Sequence, residues 1–75
     1  MNPAGRRRAM LRKFGAENFE RANATLERVL QPSEPVLGAM VFLANSLEQL
    51  EELVALANKD PERLCQAAVT ADERT

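Results

Sequence analysis

Apolar residues recur along this chain at the three-and-four spacing of a helix face, and the pattern changes near its middle. Between residues 6 and 14, Met10, Leu11 and Phe14 share one side of a helix whose other positions are basic. Gly15 is expected to stop or bend it. A second segment, residues 16–30, places Phe19, Ala22, Leu26, Val29 and Leu30 on one stripe. Glu17, Glu20, Arg21, Asn23, Glu27 and Arg28 occupy the opposite side. That stripe lies about 140° out of phase with Phe14, at ~100° per residue, so the chain is expected to turn at Gly15. The first five residues, MNPAG, read as a frayed start.

QPSEP, residues 31–35, is the clearest break. The residue before each proline is pushed out of the helical region, and Ser33 is placed to cap a new helix with Pro35 in its first turn. That third helix is expected over residues 34–58. Val36, Met40, Leu43, Leu47, Leu50, Val54 and Ala57 follow one another at steps of four and three, a heptad seam. NKDPER, residues 58–63, ends it: Asp60 suits a cap, Pro61 the first helical position and Glu62 the positive helix end. A short fourth helix, residues 61–69, carries Leu64, Cys65, Ala68 and Val69, and TADERT reads as a disordered tail. The sequence shows no internal repeat. The expected organisation is a basic segment over 1–15, a helical bundle over 16–70 and a tail over 71–75.

The third helix is apolar almost all round in its first half, VLGAMVFLA. Phe42, Leu53 and Leu56 flank the seam, and Leu37 and Val41 fall on the side that carries Glu48, Glu52 and Lys59 further on. One neighbouring helix covers a stripe of about 100°. The second segment can supply it as a helical hairpin, and the short end helices cover part of the rest. The remaining apolar side chains would each forgo about 1.5–3 kcal/mol if left in water. The expected fold is therefore an all-α small helical bundle, a hairpin of helices 2 and 3 with short N- and C-terminal helices, completed by dimerisation. Leu37, Met40, Val41, Phe42, Leu53 and Leu56 form the expected protein interface, with a homodimer or a hetero-complex as the assembly. The competing expectation is a monomer in which the other helices wrap the third completely.

Size sharpens that argument. A chain of 75 residues forms one small domain, and domains this small usually need a disulfide, a metal or a second subunit. There is one cysteine, Cys65, and no histidine, so neither an internal disulfide nor a zinc site is expected. Cys65 reads as a small buried hydrophobe, and a lone cysteine fits a reducing, cytoplasmic setting. The longest apolar run, residues 36–44, falls short of the ~20 residues of a membrane-spanning helix, and no secretory signal is expected.

The net charge of −1 hides an asymmetry. Arg6, Arg7, Arg8, Arg12 and Lys13 precede every acid, so residues 1–13 carry +5 and the remainder, with eleven acids and five bases, carries −6. Such a head can bind nucleic-acid phosphates, touch an anionic membrane surface, dock on the acidic face of another chain, or remain a solvated arm. A chain begun at Met10 would lack Arg6, Arg7 and Arg8. Tyrosine and tryptophan are lacking for base stacking, and the acidic body opposes a polyanion. No nucleophile–base pair and no glycine-rich phosphate loop is present. Glu48, Glu51 and Glu52 cluster on what reads as a solvated face. The expectation is a non-enzyme without cofactor or metal. It would act through protein–protein association as an adaptor, inhibitor or regulatory subunit. The alternative is a nucleic-acid-binding regulator that uses the five basic residues.

Overall fold

Side-chain caps open four of the five α-helices that the computed structural model places among the residues it describes, 2–74. Helix α1 is Pro3–Phe14, α2 is Phe19–Leu26, α3 is Glu34–Leu43, α4 is Leu47–Lys59 and α5 is Pro61–Glu73. A single 3-10 turn, Ala16–Asn18, leads into α2. The chain is an all-α bundle.

The caps explain these boundaries. Asn2 Oδ1 accepts the Gly5 N–H at 2.7 Å, and Pro3 takes the first helical position, so α1 starts at once and is not frayed. Ser33 Oγ accepts from Val36 N–H at the start of α3, and Asp60 Oδ1 from Arg63 N–H at the start of α5. Gly15 ends α1 at φ 85°, ψ 156°, a region open essentially to glycine alone. Helix α5 continues to Glu73, four residues beyond the expected end, so most of the expected tail is helical.

The expected third helix is two helices. It breaks at Ala44–Ser46, although no glycine or proline lies there. Ser46 Oγ accepts Gln49 N–H at 3.1 Å, and Gln49 Oε1 reaches back to Asn45 N–H at 2.7 Å. This is a capping box shifted by one residue. The sequence signal, Ser46 followed by Gln49 three residues on, runs inside the heptad seam and competes with it.

Breaking that helix lets the chain stack as two similar pairs. Arg6 on α1 meets Glu34 on α3, and Lys13 meets Val41, both 28 residues apart, so α1 and α3 run side by side in the same direction. Asn58, at the end of α4, accepts from Leu30 N–H and donates to the Arg28 carbonyl just after α2. The α2 and α4 pair therefore shares the displacement of about 28. Its buried positions agree: Ala22 and Leu26 on α2 and Val29 just after it correspond to Leu50, Val54 and Ala57 on α4, all buried. Helix α5 packs on α3, its largest helix partner.

The apolar middle is covered by this stacking. Helix α3 contacts α1, α4 and α5, and α2 packs on α1 and on α4, the second half of the expected third helix. Met10, Met40, Val41, Leu50 and Leu64 are fully buried within the chain. The radius of gyration, 11.2 Å, is that of a compact domain of this length, about 11 Å.

Candidate interaction surface

The basic segment is part of the fold. Ala9, Met10 and Phe14 are buried, whereas Leu11 is 39% exposed. The face of α1 turned inward is thus rotated from the expected Met10–Leu11–Phe14 side toward Ala9, because Arg6 and Lys13 also reach across to α3. Met10 lies in the middle of this helix.

Two of the five expected phosphate-binding cations have structural work. The Arg6 guanidinium grips Glu34 with two hydrogen bonds, Nη2–Oε1 at 2.9 Å and Nε–Oε2 at 3.1 Å. Lys13 Nζ donates to the carbonyls of Val41 (2.8 Å), Phe42 and Ala44 (3.2 Å), the unsatisfied C-terminal end of α3. The same ammonium lies 5.6 Å from the centre of the Phe42 ring. Burial pushes its pKa below the usual lysine value, and the Arg12 charge adds to that. The three carbonyls hold the charged form in place at the negative end of the helix dipole. Arg7 sits 5.2 Å over the Phe19 ring, and Arg8 and Arg12 are exposed with no ion pair among the described residues.

The Arg6 hydrogen bonds hold the Glu34 carboxyl below the usual glutamate pKa of 4.5, against a smaller opposing effect of burial. A depressed acid contributes stability that is complete above its unfolded pKa and is lost as pH falls through the folded one. The wild type is therefore expected to lose more stability than Glu34→Gln on going from about pH 5 to about pH 3. Urea unfolding at several pH values measures this. Equal losses for the two proteins would show that the pair has no thermodynamic weight in the fold.

The expected interface residues separate into two groups. Met40 and Val41 are wholly inside the core. Leu37, Phe42, Leu53 and Leu56 are half-buried and pack against it. Phe42 also lines an open trough of about 290 Å³ between α3 and α5. One wall is Pro35, Gly38, Ala39 and Phe42, and the other is Cys65, Ala68, Val69 and Asp72. Both rows have the spacing of a single helix face. Small residues on both helices leave the floor open, and Val69 on its rim is 50% exposed. Leu53 and Leu56 lie on α4, away from this trough. The sequence reading missed Val69 as a surface residue. The signal was its place on the apolar stripe of a helix too narrow to bury both Leu64 and Val69.

Glu48, Glu51 and Glu52 are all exposed, and no group of three acids or cysteines that could hold a metal ion forms among the described residues. No helix among them is long and apolar enough to cross a membrane. Comparisons with protein-family models, with curated proteins and with solved structures gave no match.

Proposed function

We propose that this chain is a small non-catalytic protein–protein interaction module that self-associates and serves as an adaptor, inhibitor or regulatory subunit of a macromolecular partner. The observation that carries this reading is the α3–α5 trough, apolar, open and walled by two rows of helix-face positions. A trough of this shape accepts the apolar side of a partner helix, read at three-and-four spacing. Its volume stands at the lower limit of small-molecule pockets, ~300 Å³, and it is open along its length, which favours a helix over a small ligand. Stacked helix pairs also present their surfaces as rigid arrays suited to binding.

Val69→Glu tests the reading without disturbing the core, because half of that side chain already faces water. Affinity capture from the cells that make the protein is expected to retain a small set of proteins with the wild type and with Arg8→Glu, and to lose most of it with Val69→Glu, on the order of tenfold or more. Identical capture by wild type and Val69→Glu would sink the reading.

The second reading, contact with a polyanion, draws on the exposed Arg7, Arg8 and Arg12 of α1. With Arg6 and Lys13 engaged in the fold, three cations remain. The log–log salt slope of binding to duplex DNA or RNA would then be no steeper than about −3. A slope near zero, or no binding at low salt, eliminates it.

A further inference from the structure

We infer that this chain pairs with a second copy of itself by straightening the α3–α4 break and exchanging α4 and α5 between the two copies. The inference rests on the self-association in the reading above and adds the segment through which it occurs.

The two turns within the helix pairs differ in kind. The first contains Gly15 at φ 85°, which a continuing helix cannot accommodate without moving the backbone to another basin. The second, Ala44–Ser46, contains only ordinary backbone angles, φ −76° at Ala44 and φ −152° at Ser46. Residues 39–60 include neither glycine nor proline. The heptad seam passes through the break unshifted, from Met40 and Leu43 to Leu47 and Leu50. What holds the bend is non-covalent: the Ser46 cap, the Gln49 return bond and Lys13 on the carbonyls of Val41, Phe42 and Ala44. In a continuous helix those three carbonyls accept from Asn45, Ser46 and Glu48 N–H instead. The bent and straight forms therefore satisfy the same acceptors by different donors.

Length then dictates what straightening does. Residues 34–59 as one helix span about 39 Å at 1.5 Å per residue. The longest extent of the folded chain is 30 Å. A straight α3–α4 carries α4 and α5 clear of their own α1, α2 and α3. A second straightened copy supplies the missing pair, and each half rebuilds the contacts of α3 with α5 and of α2 with α4. The exchange is mutual, so the assembly closes as a two-fold dimer. Its new contact falls at the hinge. Leu43 and Leu47 flank the break on the seam and are only half-buried in the bent chain. In the exchanged dimer they meet their counterparts across the two-fold axis.

The test uses the full chain and two hinge variants that act in opposite directions. Asn45→Ala with Ser46→Ala removes the cap and raises helix propensity at the bend. It should tighten dimerisation by about 30-fold, the effect of one lost cap in each of two chains. Asn45→Gly should weaken it, because glycine opposes a continuous helix there. Light scattering over a concentration series, after refolding at high concentration, reads the assembly. Dimers mixed from isotope-labelled and unlabelled chains then report whether side chains of α3 and α5 touch between copies. Intermolecular α3–α5 contacts in a dimer favoured by the alanine pair support the exchange. A dimer whose α3–α5 contacts all lie within one chain overturns it while leaving self-association intact. A wild type and an alanine pair that stay near 8.3 kDa at every concentration overturn both. An unfolded alanine pair also overturns it, since the straight form keeps the packing of α3 with α5.

Discussion

Met40→Ala lowers the unfolding free energy by about 3 kcal/mol, within the 2–5 kcal/mol found for truncating buried methionine or leucine. Met40 is fully buried, on the side of α3 that faces the common core. The total stability of a chain this size is about 4–11 kcal/mol, so the variant should lose about a quarter or more of it. The melting temperature should fall by about 12–24 °C. The measurement also separates two roles. A core residue lowers stability by the same amount at every protein concentration, whereas a residue buried only between chains changes the concentration dependence and leaves the isolated chain intact. Urea unfolding at concentrations a hundredfold apart decides between them. A loss below about 1 kcal/mol at the lower concentration would move Met40 out of the core and back to the interface that its place on the seam first suggested.

Lys13→Met is expected to cost about 2 kcal/mol, an unusual effect for a residue in a run of basic positions. Its ammonium is the donor for three carbonyls at the end of α3, and it faces the Phe42 ring. Methionine keeps the apolar stem and removes the donor, so the change isolates the capping role from packing. The loss should be local. Amide exchange at the end of α3, where Ala44 N–H donates to the Met40 carbonyl at 2.9 Å, should quicken before that of α2. Arg12→Met, one residue away and exposed, is the control and should fall within about 0.5 kcal/mol of wild type. If the two variants prove equally mild, Lys13 is a solvated lysine and the bend at Ala44–Ser46 is held by its own side chains.

Both predictions concern the segment whose surroundings were hardest to read. A helix apolar on all sides, Val36 to Ala44, was expected to need a second chain. Within the chain, α1, α4 and α5 bury Val36, Ala39, Met40, Val41 and Ala44, and Leu37, Phe42 and Leu43 stay half-buried. The covering helices were long enough to do so because α1 starts two residues into the chain, on the Asn2 cap, and α5 runs to Glu73. With Met40 and Val41 enclosed, the proposed self-association would use the half-buried Leu43 and Leu47 at the hinge, and the proposed partner binding the trough beside Phe42.

What the sequence determined by itself is local. Ser33 and Asp60 cap through side-chain oxygens and Pro35 and Pro61 through a fixed backbone angle, all within one helical turn, so helix starts at 34 and 61 and the stop at Gly15 were legible from residue type. The amphipathic stripes of α2 and α4 were legible for the same reason, since each faces one core. The tertiary structure decided the rest. At Ala44–Ser46 a heptad seam and a capping box make opposing demands, and the bend brings the Val41, Phe42 and Ala44 carbonyls to Lys13, 28 to 31 residues away in sequence. The parallel register of α1 with α3 and of α2 with α4 is likewise set by pairs such as Arg6–Glu34 and Leu30–Asn58, whose spacing no local pattern encodes. The sides of a helix that can be apolar depend on how many neighbours enclose it, and only the packed chain fixes that number.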